Sequence, residues 1–316
     1  MPDTTEGGMD DVIVACALTG SIHTPSMSEH LPITPDELVE EGIAAAEAGA
    51  SIIHIHVRDP ETGEPVSDLD LFREVASGIQ AETDAIVQPT TGGGFNQTVE
   101  ERFSVIPELQ PEMASFNMGS MNFGLYPMAE KMDEFEYEWE REYLENTYEN
   151  IVPNSFSTLH EAGSMFTEHG VHPELECYDV GHLHTAKHLY DRGVLEPPLR
   201  IQFVMGVLGG IAAESSHLDH MIETTERLFG DDASWSVIGA GKAQFPLGVE
   251  AVSRGGHVRV GLEDNLYLSP ERMAESNAEQ VEKIVDLAWS VAGREPATPA
   301  QVRGLFDTKG VENVGF

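Results

Sequence analysis

Apolar and polar positions along this chain alternate between two periods, one suited to buried strands and one to amphipathic helices. Residues 12–18 form a short, β-rich apolar run. Thr34-Pro35-Asp36-Glu37 then supplies an N-cap, a first-turn proline and early acids, which predicts a helix reaching about Ala50. The same rhythm predicts strands over 51–57, 85–91 and 113–118, with helices over 69–81 and 99–109. It resumes later with helix 155–169, strand 174–178, helix 184–192 and strand 200–205. Helix 218–228, strand 234–238, helix 245–253, strand 257–262 and a last helix near 274–291 complete it. Eight βα repeats without a long polar linker predict a closed parallel (β/α)8 barrel, the TIM-barrel fold, because closure removes both edge strands. One domain over 1–316 is expected, with its chemistry at the C-terminal ends of the strands.

The rhythm breaks at about 125–155. Residues 126–150 are Glu-rich and carry aromatics, as in Glu134-Phe135-Glu136-Tyr137-Glu138-Trp139-Glu140. The pattern predicts an inserted acidic helix or flap lying on the barrel as a solvated decoration.

Charge alters the picture most. The 55 acids against 17 bases leave a net charge of −38, spread along the whole chain. Such a field repels nucleic acid and anionic lipid, and it suggests a surface kept hydrated in high salt, as in halophiles. No apolar run approaches the roughly 20 residues of a membrane span, and the acidic N-terminus lacks a signal-peptide pattern. Cys16 and Cys177 lie in apolar or strand-like segments, so neither a disulfide framework nor a Cys-based zinc module is expected. A protein of the reducing cytoplasm fits these features.

Polar residues late in the predicted strands form a coherent set. His54-Ile55-His56 ends the second strand, and a period of two points both imidazoles to one side, where they are good zinc ligands. On the eighth strand Arg259, Gly261 and Glu263 share a face, and Glu263 can complete two His and one carboxylate, leaving a coordination position open for catalysis. Asp264 beside Arg259 could act as a base or form a plain ion pair. Gln88-Pro89-Thr90-Thr91-Gly92-Gly93-Gly94 offers hydroxyls and amides to a carboxylate or phosphate. Ser115 and Asn117 on the fourth strand, and Glu174 and Glu176 on the fifth, point polar groups into the barrel. His182, His184 and His188 diverge on a helix and are not read as ligands.

These residues, with Ala17-Leu18-Thr19-Gly20, Leu31-Pro32-Ile33-Thr34-Pro35, His54-Ile55-His56-Val57-Arg58 and Gly261-Leu262-Glu263-Asp264-Asn265, give the chain a pattern that resembles the β-keto acid cleavage enzymes over nearly its whole length. The resemblance implies a zinc-dependent TIM barrel, a homo-tetramer, that converts a small β-keto acid and acetyl-CoA into acetoacetate and a new acyl-CoA by Claisen and retro-Claisen steps. It implies His54, His56 and Glu263 as zinc ligands, Arg259 and Asp264 as the catalytic pair, and Thr90, Ser115, Asn117 and Glu176 as substrate-lining positions. Where relatives acting on an amino-substituted substrate are expected to place a carboxylate, this chain has Ile22 beside His23, which implies a substrate without a required amine. An amidohydrolase-type hydrolase also uses His-x-His in a barrel. That class would place the pair on the first strand and further His ligands on the fifth and sixth, and residues 200–205 contain none. A metal-stabilised scaffold without turnover is the non-enzymatic alternative.

Overall fold

The structure, a computed structural model, describes residues 10–94 and 97–316. The N-terminal segment read above for a leader pattern lies, over 1–9, outside the described residues. The barrel is built from eight parallel strands: β1 Val14–Ala17, β2 Ile52–Ile55, β3 Ile86–Pro89, β4 Met113–Asn117, β5 His172–Cys177, β6 Leu199–Met205, β7 Ala233–Gly239 and β8 His257–Val260. Hydrogen-bonded ladders run in the order β3-β2-β1-β8-β7-β6-β5-β4, so neighbours in sequence are neighbours in space. The β3–β4 seam is drawn together by Thr91, whose amide donates to Ser115 Oγ at 3.1 Å while its hydroxyl donates to the Ser115 carbonyl at 2.6 Å.

Alternation along each strand sorts the barrel into two cores. Outward residues such as Val14, Cys16, Ile53, Phe116, Leu175 and Phe203 pack beneath the surrounding helices. Inward residues at the strand starts, Ile13, Ala15, Ile52, Ile86 and Met113, form an apolar floor with Val302 and Phe306. The latter two come from a helix, Pro299–Phe306, that the sequence pattern did not predict. It starts at a Thr298–Gln301 capping box with proline in its first turn, the same device that opens helix Pro35–Glu47 at Thr34.

Other boundaries moved for local reasons. The helix expected over 99–109 is two short helices, Val99–Phe103 and Val105–Leu109, broken at Ser104. The helix expected from 184 starts at Val180, because Asp179 accepts from the Gly181 amide as its N-cap.

The insertion corrects an expectation. Met121–Asn122 and Ile151–Val152 form a small antiparallel pair, between which lie helices Tyr126–Ala129 and Glu138–Asn146. The segment is not a solvated decoration. Glu140 is fully buried and accepts from the Ser26 amide at 3.0 Å, the Ser26 hydroxyl at 2.7 Å and the Tyr137 amide at 3.0 Å. Tyr143 donates to the Ser21 carbonyl at 2.9 Å, and the Trp139 indole to the Thr62 carbonyl at 3.1 Å. Tyr143 and Leu144 then pack with Phe123, Tyr178, Val204 and Ile238, so the insertion is clasped over the mouth of the barrel. Its acids alternate in role: Glu140 anchors, while Glu134, Glu136 and Glu142 face solvent.

Candidate functional site

Ladder register brings the inward polar residues to one level. His54 pairs with Ala17 on one side and Gln88 on the other, Arg259 lies opposite Ala15, and Asn117 lies opposite Glu176. His56 falls just past the end of β2, and Glu263 lies in the loop after β8. Their side chains nevertheless converge: His54 Nε2 lies 3.7 Å from Glu263 Oε2, and His56 Nε2 lies 3.5 Å from Glu263 Oε1. All three are buried. Among the described residues they form the one group of three or more His, Cys, Asp or Glu whose ligand atoms lie within 4.8 Å of one another.

The carboxylate's approach depends on two glycines. Gly20, at φ +60°, leaves open the space where a Cβ would sit 2.2 Å from Glu263 Cγ. Gly261, at φ +138°, lets the chain leave β8 against the Ala17 carbonyl, which a Cβ would meet at 2.1 Å. Arg58 secures the first of these turns. Wholly buried, it donates to the carbonyls of Thr19, Gly20, His23 and Gly63 and to the Thr19 hydroxyl, at 2.7 to 3.0 Å. The sequence showed this arginine as part of a motif but not its task.

The three donors suit a divalent cation. Gln88 Oε1 sits 3.0 Å from His54 Nδ1, which fixes the tautomer whose Nε2 lone pair faces Glu263. Burial, with help from Arg259, pushes the His54 imidazolium down to about 3, so the ring is neutral at ordinary pH. Glu263 Oε2 is buried with no hydrogen-bond partner, and such an orphaned anionic oxygen needs a cation. Burial alone would raise the Glu263 carboxyl, but Arg259 and the two imidazoles hold it well below the usual range.

Arg259 is the hub of the second half of the site. Its Nε donates to Asp264 Oδ2 at 2.9 Å, and its two terminal nitrogens reach Asp264 Oδ1 at 3.0 Å, Glu263 Oε1 at 2.6 Å and Glu176 Oε1 at 3.4 Å. One guanidinium thus serves three buried carboxyl groups, an excess of negative charge that a dication would offset. Desolvation lifts two of these carboxyls into a useful range despite Arg259: Asp264 to about 6 and Glu176 to about 8. The Tyr178 hydroxyl donates to Glu176 at 3.4 Å.

A cavity of about 60 Å³ opens between these groups, bounded by His54, His56, Thr90, Asn117, Glu176, Arg259, Glu263 and Asp264. Its opposite wall is apolar, from Ile22, Phe123, Val152, Val204 and Ile238. Val152 lies within the 125–155 insertion and Phe123 just before it, so this segment borders the site.

Several expected contributions are absent. Ser115 does not line this cavity, since its hydroxyl accepts the Thr91 amide at the barrel seam. In the glycine-rich run after β3, the Thr91, Gly92 and Gly94 amides are taken by Ser115, Thr90 and Gln97, while Gly92 and Gly93 border the cavity. Glu174 lies deeper, paired with Arg200. His182, which the sequence did not mark as a ligand, accepts from the Tyr178 amide at 3.2 Å.

The comparisons with known proteins agree with this geometry. A profile described as beta-keto acid cleavage enzyme matches residues 11–307. The chain belongs to this family. It is 46% identical to 3,5-dioxohexanoate:acetyl-CoA acetone transferase of Paraburkholderia graminis, covering 96% of this chain and 98% of that protein. It is 34% identical to 3-keto-5-aminohexanoate cleavage enzyme of Fusobacterium nucleatum, over 95% and 99% of the two chains. Among solved structures, ObcA in a binary complex with oxaloacetate superposes with a TM-score of 0.69 at 21% identity, covering 90% of this chain and 68% of that one, which establishes the shared barrel. As a β-keto acid cleavage enzyme the chain is a transferase acting on carbon–carbon bonds. No helix among its described residues is long and apolar enough to cross a membrane.

Proposed function

We propose that this enzyme binds zinc through His54, His56 and Glu263 and exchanges acyl groups between a small, neutral β-keto acid and acetyl-CoA, releasing acetoacetate and a new acyl-CoA. The observation that carries the reading is the Arg259–Asp264 pair joined to a two-imidazole, one-carboxylate cluster on the lining of a single cavity. When bound there, zinc supplies a Lewis acid that polarises oxygen atoms of the substrate.

Asp264 takes a proton from the carbon between the keto and carboxylate groups, and its elevated affinity near 6 suits it to return one later. The resulting carbanion attacks the thioester carbonyl of acetyl-CoA, forming a carbon–carbon bond and expelling the CoA thiolate. That thiolate attacks the original keto carbon, and the bond between this carbon and the former carbanion centre breaks. Acetoacetate is then protonated from Asp264 and departs with acyl-CoA. Arg259 offsets the charge of Asp264 and orients it, while Thr90, Asn117 and Glu176 border the space for substrate.

Ile22 favours a substrate without an amine, since its side chain offers an entering ammonium group no carboxylate and the cavity's own carboxyl groups, Glu176, Glu263 and Asp264, are engaged by Arg259. The name of the Paraburkholderia relative makes 3,5-dioxohexanoate the first compound to test. Comparing kcat/KM for 3,5-dioxohexanoate, 3-oxohexanoate and 5-amino-3-oxohexanoate with acetyl-CoA decides the matter. The two neutral acids are expected ahead by at least about tenfold, the equivalent of roughly 1.4 kcal/mol, and preference for the amino compound would defeat the assignment. The same reading carries a cytoplasmic homo-tetramer, a surface adapted to high salt, and no nucleic-acid or membrane partner.

A further inference from the structure

The acyl donor in the proposed reaction is far larger than the cavity that reacts with it. About 60 Å³ around His54 and Asp264 can admit the acetyl end of a CoA thioester but not its phosphorylated nucleotide. That part carries two charges on its diphosphate bridge and a 3′-phosphate monoester, and it approaches a chain of net charge −38. It needs a separate seat, close to the cavity, locally cationic and partly apolar.

One groove meets these requirements. It has a volume of about 680 Å³, within the range that holds drug-sized ligands, and it lies beside the catalytic cavity on the β7–β8 side. Two chain turns look into both spaces. Ala240 borders the catalytic cavity and Lys242 the groove, and Asp264 borders the cavity and Asn265 the groove. The turns are tied together, with the Gly241 amide donating to the Asp264 carbonyl at 2.8 Å. Consecutive Cα atoms lie only about 3.8 Å apart, so the two spaces are separated by little more than one thickness of backbone.

The chemistry of the groove is unusual for this surface. Lysines occur only at 131, 187, 242, 283 and 309, yet Lys242 and Lys283 both face it. Neither forms a salt bridge among the described residues, whereas Lys187 is paired with Asp191. Lys283 Nζ sits 3.8 Å from the centroid of the Phe245 ring and donates to the Leu268 carbonyl. Phe245, Pro246, Val249 and Tyr267 supply flat or aliphatic surface between the two cations. An aromatic base would lie on such a wall with its phosphates on the ammonium groups.

We propose that this groove seats the 3′-phosphoadenosine diphosphate end of the CoA thioester, with Lys242 and Lys283 binding its phosphates and Phe245 and Tyr267 flanking the adenine. The assignment rests on the acyl-exchange reading above, and its test separates the two. The metal-loaded enzyme is assayed with a saturating β-keto acid and either acetyl-CoA or S-acetylpantetheine, which lacks the nucleotide. In Lys242→Ala/Lys283→Met, KM for acetyl-CoA rises about tenfold or more with kcat unchanged, and both constants for S-acetylpantetheine stay as they were. An equal loss with both donors, or no loss with acetyl-CoA, overturns the groove.

Adenosine 3′,5′-bisphosphate titrated by calorimetry reads the groove without turnover, and its binding is expected to vanish in the double variant. Binding that needs both lysines, in an enzyme that consumes acetyl-CoA with no β-keto acid, would leave the groove standing and remove the acyl-exchange reading. Turnover indifferent to both lysines would do the reverse. A fall in sedimentation mass of the variant at unchanged KM would assign the face to contact between copies of this chain, and would also overturn the proposal.

Discussion

Each member of the cluster at the barrel mouth is held by a neighbour with a separable task, so single substitutions should have distinct signatures. The zinc assignment predicts one ion per chain, lost when His54 and His56 are both replaced by alanine, because a lone carboxylate cannot retain it. Metal analysis of the purified double variant checks this, and stoichiometric zinc there would show that the ligands lie elsewhere. Asp264→Asn keeps the size of the side chain but removes the proton acceptor. Turnover is expected to fall by a factor of about 100 or more with metal content and unfolding temperature preserved. Activity within about tenfold of the parent would exclude the base role. The His54, His56 and Glu263 cluster was legible in the sequence because the two imidazoles sit two apart at the end of β2 and Glu263 follows β8, with only β1 between those strands. Gln88, which orients His54, was not, since a glutamine on a strand carries no signature until its partner is known.

Among the elements, the insertion departs most from its sequence pattern. A Glu-rich stretch reads as solvated, yet one acid in it, Glu140, is a buried anchor for the chain at Ser26 and another turn at Tyr137. Replacing Glu140 with alanine leaves the partly buried Ser26 and Tyr137 amides without their acceptor, at a cost for each below the about 1–3 kcal/mol of a fully buried group. In a protein of this size that corresponds to a loss of several degrees in unfolding temperature, at roughly 2–4 °C per kcal/mol. Proteolysis should then begin within 126–150. An unchanged unfolding temperature and cleavage pattern would mean that Trp139 and Tyr143 hold the insertion by themselves. Val152 in the insertion and Phe123 just before it border the catalytic cavity, so the same variant should also raise KM for the β-keto acid.

The whole molecule carries its charge as a global property. An excess of 38 negative charges repels itself over distances that salt shortens, from a screening length of about 10 Å at 0.1 M to about 3 Å at 1 M. Thermal unfolding is therefore expected at a clearly higher temperature in about 2 M than in about 0.1 M salt, and superimposable curves would contradict it. The barrel itself was readable at this scale, because eight alternating segments leave few ways to bury their apolar faces. Its floor was not: Pro299–Phe306 has an ordinary amphipathic pattern, and only the position of Phe306 under the strand starts gives it that role.

What the sequence by itself determined is local in origin: period-two and period-3.6 burial, capping residues, and chemistry-bearing side chains at strand ends. Repetition of those local patterns carried the fold class, and alternation carried the shared direction of His54 and His56. Tertiary structure decided what depends on distances between remote segments. It turned Ser115 from the cavity to the seam, spent the Thr91, Gly92 and Gly94 amides on nearby side chains, and brought Glu176 from β5 to the Arg259 that Glu263 and Asp264 already accompany in sequence. The physical reason is that a hydrogen-bonding group can be listed from sequence, but whether it is already satisfied depends on which partner the closed barrel brings within about 3 Å.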